Sequence, residues 1–518
     1  MMRRLTPVAL LACLVVSSLA SCGTDTETDG PDVLRVLAGS EVKDLEPLLR
    51  RAEQEAGVKV RLTYTGTLDG AEQVASGRTD GRQDAIWFSS NRYLSLIDGA
   101  QDRLSTQTKI MVSPVVLGLK PAKANELGWT GKPVSWTDIA KAAKDGRFGF
   151  AMTNPASSNS GFSALVGVAA ALSDADGALS AEQVESVTPR LKDFFSAQRL
   201  TAGSSGWLAD AYSRDPRVDG MVNYESVLLG LREPLTLVYP DDGVVSADYP
   251  LTLLAAANET KKDLYGKLTA WLRTPAVQRD IMTGTHRRPI TPGVAQDPRF
   301  GGRQLIELPF PNRRSTADEL IATYLNRVRV PAEARFVLDT SGSMEGERIG
   351  ALRQALVALT GADTSVSGAF SRFSNRETVT MIPFSGRPRP GVPFTVPERD
   401  PAPVLAEIKA FAEGLTAAGG TAIYDSLAAA YDLPAVPGRY TSIVLMTDGE
   451  NTDGSDYAAF EARYRALPAE RRAPAFVVLF GESDAEEMRK VAGLTGGAVF
   501  DARSTSLSSV FKEIRGYQ

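Results

Sequence analysis

Five oxygen-bearing side chains in the last third of the chain have the types and spacing of a cation site. Asp339, Ser341 and Ser343 alternate along one short loop, so a carboxylate and two hydroxyls can converge on one point. Thr421 offers another hydroxyl and Asp448 a second carboxylate, each from a separate loop. Oxygen donors with few negative charges suit Mg²⁺ or Mn²⁺, with water completing an octahedron. The sequence therefore predicts a divalent metal site at these five residues.

The elements around these residues predict how they come together. Apolar runs over 334–338 and 441–446 indicate buried strands that end just before Asp339 and Asp448. The other predicted elements of this region are strands over 378–382, 475–480 and 498–500 and helices over 347–359, 404–415, 421–433, 485–494 and from 507 onward. Such alternation gives a doubly wound, mostly parallel sheet, in which the carboxyl ends of the strands share one edge.

This pattern resembles the von Willebrand factor A domain and its metal-ion-dependent adhesion site. The D-x-S-x-S element at 339–343, the Gly-Gly-Thr at 419–421 and the Thr-Asp-Gly at 447–449 stand in that family's order. The resemblance covers nearly all of 331–518 and implies a metal that accepts a carboxylate from a partner protein. The glycine-containing pairs at 419–420 and 448–449 would also serve as plain turns. That alternative does not explain the three residues at 339, 341 and 343.

The chain before residue 331 also alternates between strands and helices. Apolar runs over 33–38, 58–64, 84–88 and 148–152 predict strands, which again favours an α/β sheet. In such sheets, ligands bind beyond the carboxyl ends of strands and at helix N-termini. Polar turns that follow these strands therefore supply candidate ligand-binding residues. These candidates, with one tyrosine from a later segment, are Ser40, Ser89, Ser90, Ser158, Ser160 and Tyr224.

The order of these segments resembles bacterial extracellular solute-binding proteins of the two-lobed, periplasmic-binding type. The supporting stretches are the opening strand with Gly39-Ser40, residues 84–90, residues 154–161 and residues 222–226. The family implies two α/β lobes hinged around a cleft that closes on a small solute. Glu225 near such a cleft would repel an anion unless it is paired, so an amine, a sugar or a peptide stays open as the ligand. Helix capping alone would also explain the polar residues at 153–161.

The first thirty residues have the layout of an export signal. Arg3 and Arg4 precede an apolar stretch that is shorter than a membrane-spanning helix needs. The stretch ends at Leu19-Ala20-Ser21-Cys22, which resembles the lipobox of bacterial lipoproteins, in which the cysteine is acylated. An ordinary signal peptide with a chance cysteine is the alternative. We predict lipidation at Cys22, a flexible tether over 22–31, and a location on the extracytoplasmic face of the bacterial cell membrane.

Composition excludes several other classes. The 518 residues carry 57 Lys and Arg against 62 Asp and Glu, a formal charge of −5. A mildly acidic chain lacks the overall positive charge that is typical of nucleic-acid-binding proteins. One His and two Cys are too few for a His-rich zinc site or a disulfide scaffold. The single His286 lies in a basic loop, and the G-x-S-x-G and G-x-x-x-x-G-K motifs are absent. We therefore predict that the protein is not an enzyme.

Together these patterns predict a signal peptide over 1–21, a tether over 22–31, a solute-binding-like domain over 32–330 and a von Willebrand factor A domain over 331–518. The predicted function is that of a lipid-anchored surface binding protein, with a protein partner at the metal and a small solute in the cleft. The alternative is the solute receptor of an ABC-type importer, with the second domain as a scaffold. A receptor for import alone does not need so large a second domain, which favours the binding protein.

Overall fold

A computed structural model describes residue 30 and residues 32–173, 176–215, 217–301, 304–479, 485–503 and 507–517. The predicted signal peptide, the predicted lipidation site Cys22 and the tether, apart from Gly30, lie outside the described residues. Within the described part of the chain, no helix is both long enough and apolar enough to cross a membrane.

The first region contains twelve strands and eleven α-helices among its described residues. In chain order they are β1 (Val33–Gly39), α1 (Glu46–Glu55), β2 (Lys59–Thr65), α2 (Thr67–Ala75), β3 (Ala85–Trp87), β4 (Leu104–Lys109), β5 (Met111–Leu119), α3 (Pro121–Leu127), α4 (Trp136–Lys144), β6 (Phe150–Thr153), α5 (Asn159–Leu172), α6 (Ala181–Phe195), β7 (Gln198–Ala202), α7 (Ser205–Arg214), β8 (Gly220–Tyr224), α8 (Glu225–Leu229), β9 (Thr236–Val238), β10 (Ser246–Ala247), β11 (Pro250–Leu254), α9 (Glu259–Leu272), α10 (Pro275–Thr285), β12 (Arg288–Pro289) and α11 (Arg314–Thr323).

Two sheets divide this region into two lobes, which confirms the predicted two-lobed α/β fold. The first lobe has the strand order β2-β1-β3-β11-β4, in which β1 runs parallel to β2 and β3, and β11 runs antiparallel to β3 and β4. The second lobe has the order β10-β5-β8-β6-β7, with β9 and β12 also paired to β5. Strand β1 is almost wholly buried, as expected of a parallel strand covered on both faces.

The chain passes between the lobes where β4 leads into β5 and where β10 leads into β11. Tyr249, in the second connection, has a φ of 43°, a left-handed backbone that is uncommon for a bulky residue. Its backbone N–H donates to the Ser89 carbonyl at 3.0 Å, and its carbonyl accepts from Trp87 Nε1 at 3.1 Å. These two hydrogen bonds hold the strained connection against the first lobe.

The C-terminal region contains six strands and seven α-helices among its described residues. They are β13 (Ala332–Asp339), α12 (Glu347–Val357), α13 (Val366–Ser371), β14 (Thr378–Phe384), β15 (Val392–Thr395), α14 (Ala402–Glu413), α15 (Ile423–Asp432), β16 (Tyr440–Thr447), α16 (Tyr457–Ala466), β17 (Ala475–Leu479), α17 (Ala485–Thr495), β18 (Val499–Asp501) and α18 (Leu507–Arg515).

These strands form one six-stranded sheet in the order β15-β14-β13-β16-β17-β18. All neighbours are parallel except β15, which pairs antiparallel at the edge, so the predicted mostly parallel sheet is confirmed. Leu338 of β13 lies opposite Met446 of β16. The residues that follow these two central strands therefore emerge side by side at one edge of the sheet.

The second lobe and the C-terminal sheet share a continuous apolar cluster. Trp207 of α7 packs edge-on against Tyr517, with ring centroids 4.6 Å apart, and lies 6.2 Å from the ring of Phe476 in β17. Aromatic pairs in such geometry contribute beyond the area that they bury. The two regions are therefore packed against each other.

Candidate functional site

Four of the five predicted metal residues form one hydrogen-bonded cluster at the carboxyl edge of the C-terminal sheet. Asp339 ends β13 and Asp448 directly follows β16, so the neighbouring parallel strands place their carboxylates together. Ser343 Oγ donates to Asp448 Oδ1 at 2.9 Å and lies 3.0 Å from Ser341 Oγ. The Ser341 backbone N–H donates to Asp339 Oδ1 at 2.9 Å. Two carboxylates and two hydroxyls thus share one small volume.

The fifth residue, Thr421, lies beside this cluster just before α15. A Cβ atom built on Gly449 would lie 3.6 Å from Ser343 Oγ and 3.9 Å from Thr421 Oγ1, so both hydroxyls border the space that this glycine leaves open. The Thr421 backbone N–H donates to Asp453 Oδ2 at 2.9 Å and to Thr452 Oγ1 at 3.0 Å. These bonds fix the loop that carries the fifth oxygen.

Burial sets the electrostatics of the cluster. Asp339 is fully buried, and this desolvation raises the pKa of its carboxyl group. Its second oxygen, Oδ2, accepts from Thr447 Oγ1 at 2.7 Å. On the other side, Arg348 NH1 lies 2.6 Å from Asp448 Oδ2. The cluster therefore combines a desolvated carboxylate with one that already has a cationic partner.

The donor set fits a hard divalent cation. The described residues contain no group of three or more His, Cys, Asp or Glu side chains that could hold a metal ion. Any cation at this edge would therefore depend on hydroxyls as well as on the carboxylates of Asp339 and Asp448. An all-oxygen set with two negative charges matches Mg²⁺ or Mn²⁺ and disfavours metals that require thiolate or imidazole ligands.

A cavity of about 510 Å³ opens between the two lobes of the first region. Two of the six candidate ligand residues line it: Ser40, in the turn after β1, and Ser158, which precedes α5. Both follow the carboxyl ends of strands, where an α/β sheet binds its ligands. Glycine is required nearby, because a Cβ atom at Gly161 would lie 2.2 Å from the Thr153 carbonyl oxygen. The close approach of α5 to β6 thus positions Ser158 at the cavity.

The other four candidates are buried and do not line this cavity. Tyr224 OH donates to Ser89 Oγ at 3.0 Å. Ser160 Oγ lies 2.7 Å from Thr153 Oγ1 and 3.1 Å from Ser158 Oγ. Ser90 Oγ accepts from the Arg92 backbone N–H at 3.2 Å. The structure thus places these hydroxyls in internal hydrogen bonds. One of them, that of Ser160, is hydrogen-bonded to the cavity-lining Ser158.

Glu225, whose charge would oppose an anionic ligand, is paired. Arg288 donates to both of its carboxylate oxygens, at 2.7 and 2.8 Å, and the Glu225 side chain is fully buried. Such a bidentate arginine–carboxylate pair satisfies both charges internally. Glu225 therefore does not set the charge of the cavity.

Two protein-family models match the chain. A model for bacterial extracellular solute-binding proteins matches residues 34–282, and a model for the von Willebrand factor type A domain matches residues 335–513. The chain joins a solute-binding domain to a von Willebrand factor A domain. Both resemblances drawn from the sequence motifs are thereby confirmed. The first model describes extracellular solute-binding proteins, which points to an extracytoplasmic location.

Curated relatives match over a short stretch. The inter-alpha-trypsin inhibitor heavy chain H4 of Sus scrofa is 32% identical over 134 residues, which is 24% of this chain and 13% of the relative. The Bos taurus protein of the same name is 32% identical over 133 residues, with the same coverage. The chain thus matches only about an eighth of the length of these relatives.

Solved structures resemble each domain separately. The periplasmic binding protein AfuA from Actinobacillus pleuropneumoniae, with exogenous fructose-6-phosphate bound, is 14% identical, with a TM-score of 0.43, over 57% of this chain and 98% of that one. The apo ferric ion-binding protein A of Pasteurella haemolytica is 12% identical, with a TM-score of 0.45, over 57% and 96%. A von Willebrand factor type A protein from Catenulispora acidiphila is 20% identical, with a TM-score of 0.30, over 36% and 43%.

The von Willebrand factor A domain brings to this oxygen cluster three further residues that the sequence analysis does not count among the candidate ligands. They are Arg348, which contacts Asp448, Thr447, which contacts Asp339, and Asp453, which holds the loop of Thr421. One signal for Arg348 exists in the sequence, because it lies in the first turn of α12, where the helix dipole favours acidic residues. A basic residue at that position is better explained by a nearby carboxylate.

Proposed function

We propose that this protein is a lipid-anchored surface binding protein with two binding sites. Its von Willebrand factor A domain binds a protein partner through a divalent metal, Mg²⁺ or Mn²⁺. The residues that would hold this metal are Asp339, Ser341, Ser343, Thr421 and Asp448. Its solute-binding domain takes a small ligand in the cleft between the lobes. The observation that carries the proposal is the cluster in which Ser343 bridges Ser341 and Asp448 beside the buried Asp339.

Each residue of the cluster has a distinct task in this proposal. Asp339 and Asp448 supply the negative charge, and the hydroxyls of Ser341, Ser343 and Thr421 supply neutral oxygens. A cation with so few anionic ligands remains electrophilic and can bind one more carboxylate, offered by a partner. The carboxyl edge of the sheet carries this site, and the exposed Ser343 marks its open side. A partner can therefore approach without disturbing the core.

The test is a pull-down from membranes with the full chain as bait. We expect a partner to be recovered in Mg²⁺ and lost in chelator. Asp448→Ala should also lose it, while Glu407→Ala, which removes an exposed carboxylate of the same domain on α14, should retain it. Removal of Asp448 leaves Arg348 partly exposed and hydrated, so the fold should survive. Recovery that is indifferent to chelator and to Asp448→Ala would exclude metal-dependent binding.

The cleft supports a second candidate, the solute receptor of an ABC-type importer. The cavity of about 510 Å³ between the lobes favours it, because that volume suits a small solute. In that case the protein would associate with a membrane permease, and the association would not depend on divalent metal. Co-purification that persists in chelator and in Asp448→Ala would favour the importer.

A further inference from the structure

The cavity between the lobes has a third wall, which the von Willebrand factor A domain provides. The residues that line it from this domain are Ser367 and Ser371 of α13, Lys512 and Glu513 of α18, and Tyr517. The first lobe and the second lobe line the rest. We call this site the three-walled cavity. Without the von Willebrand factor A domain it would lack one of its walls.

Helix α13 forms the contact with the first lobe. Ser367 Oγ lies 3.5 Å from Asp69 Oδ1 and 3.5 Å from Glu72 Oε2, both on α2, at the outer limit of hydrogen-bond length. Lys512 Nζ donates to Ser367 Oγ at 3.0 Å and lies 2.9 Å from Asp363 Oδ2. The α13 wall is therefore tied both to the first lobe and to α18.

The end of α18 forms the contact with the second lobe. A Cβ atom at Gly516 would lie 2.8 Å from Gly203 Cα and 2.8 Å from Ser157 Oγ, so only glycine fits this approach. Asn154 Nδ2 donates to the Arg515 carbonyl at 3.3 Å. The same domain thus touches one lobe through α13 and the other through α18. The lobes cannot separate without breaking one of these contacts.

The charge of the three-walled cavity is negative. Glu41, Asp69 and Glu513 line it together with one ammonium group, that of Lys512, which already has Asp363 as its partner. Burial raises the pKa of Glu41. Glu513 is exposed, yet the surrounding walls desolvate it enough to raise its pKa as well. The nearby Arg287 lowers the pKa of Glu41 and donates to its backbone carbonyl at 2.7 Å, but Arg287 does not line the cavity. The lining therefore keeps an excess of carboxylates, which a cationic ligand would balance.

Hydroxyl groups surround these carboxylates. Thr67, at the start of α2, lines the cavity and is only 5% exposed. Thr65, Ser40 and Ser204 add further hydroxyls from both lobes. The lining therefore calls for a ligand with several hydrogen-bonding groups as well as a positive charge.

We propose that the three-walled cavity binds a small amine that also carries hydroxyl groups, about the size of an amino sugar, and that the von Willebrand factor A domain forms part of the binding site. This inference rests on the proposed small-ligand function of the cleft and deepens it. Glu41 of the first lobe and Glu513 of α18 face the ligand's charge from different domains. Ligand binding and docking of the second domain are consequently coupled.

Calorimetry with the full chain tests the ligand class. The probes are glucosamine, glucose and glucose 6-phosphate at neutral pH, which share one ring and differ in charge. We expect glucosamine to bind most tightly and glucose 6-phosphate least. Failure of glucosamine to bind, or tighter binding of glucose 6-phosphate, would overturn the proposal.

Variants of the full chain test the third wall. Loss of a charge-assisted hydrogen bond in Glu513→Gln or Glu41→Gln should weaken glucosamine binding roughly tenfold. Gly516→Ala should weaken it as well by displacing α18, while Gly493→Ala, at a helical glycine with open space around it, should not. If only Glu41→Gln weakens binding, the cleft function stands and the third wall is wrong. If Glu41→Gln has no effect, the proposed cleft function fails too.

Discussion

The Arg348 guanidinium lies 2.6 Å from Oδ2 of Asp448, and Ser343 donates to Oδ1 of the same carboxylate at 2.9 Å. Asp448 is therefore held from two sides by residues of the loop and helix that follow β13. The Arg348 side chain is 40% exposed, so solvent weakens this ion pair. A positive charge at this position acts on any cation bound in the cluster and on any anion that approaches it.

Arg348→Ala should increase the affinity of the protein for Mg²⁺ or Mn²⁺. The arginine occupies one Asp448 oxygen, and its positive charge repels the metal ion. Because the arginine side chain is partly exposed, its removal should raise metal affinity by only about 0.5–1 kcal/mol, or roughly two- to fivefold. Calorimetric titration with either metal measures it, and Arg348→Lys, which keeps the charge, is the control. Weaker metal binding in the alanine variant would mean that Arg348 orients Asp448 instead of competing at it.

Asp339→Ala and Asp339→Asn should separate metal binding from stability. Alanine leaves the buried Thr447 hydroxyl and the Ser341 N–H without their acceptor, which costs about 1–3 kcal/mol for each group. Asparagine keeps one acceptor oxygen and the volume. We expect both variants to lose metal binding and the alanine variant also to melt several degrees lower. Normal metal binding in Asp339→Asn would contradict the proposed donor set.

The convergence of Asp339, Ser341, Ser343 and Asp448 could be predicted from the sequence because its parts are local. The motifs of Asp339 and Asp448 directly follow apolar runs, and parallel strands bring such ends to one edge regardless of their distance in the chain. Arg348 could not be predicted in the same way. Its role depends on the direction of a long side chain, which is decided by the position of Asp448 in the folded domain.

The first region shows the same limit. Strand β1 is an apolar run and is predicted, whereas β4 is largely exposed, has a polar sequence and is missed. Helix α5 begins at Asn159, inside the polar stretch 153–161, and Ser160 and Gly161 are buried in its first turn. Residue type predicts that a serine lies near a strand end, but not whether its hydroxyl faces a cavity, as Ser158 does, or a buried partner, as Ser89 does.

The third wall of the cavity has no signal in the sequence. It depends on the contact of Gly516 with Gly203, two glycines that are far apart in the chain and lie in different domains. Neither position carries a motif. Only the docked surfaces show why a side chain would not fit there.

Cys22→Ser should remove the proposed lipid anchor. Serine has no thiol for acylation, so the variant should lack the lipid-modified mature form and remain uncleaved or be cleaved at another site. Metabolic labelling with a fatty acid analogue measures this, and Cys13→Ser, in the segment that cleavage removes, is the matched control. Equal label in Cys22→Ser and in the unmodified protein would exclude lipidation at this cysteine.

The stability of the ligand-free protein should depend on pH through Glu41. Burial raises the pKa of this carboxyl group in the folded protein, with Arg287 opposing the shift and Asp44 adding to it. The folded state therefore holds the proton more tightly than the unfolded chain. The resulting stabilisation is complete below the unfolded pKa and is lost as the pH rises through the folded pKa.

Glu41→Gln removes this titration and leaves that of Asp44, whose pKa burial also raises. The melting temperature of the variant relative to that of the unmodified protein should therefore increase from about pH 4 to about pH 8. Glu53→Gln, at an exposed position on α1 of the same lobe, should show a constant difference. A constant difference for Glu41→Gln as well would mean that water reaches the Glu41 carboxylate freely. Glu41 would then not be the desolvated carboxylate on which the proposed ligand recognition depends.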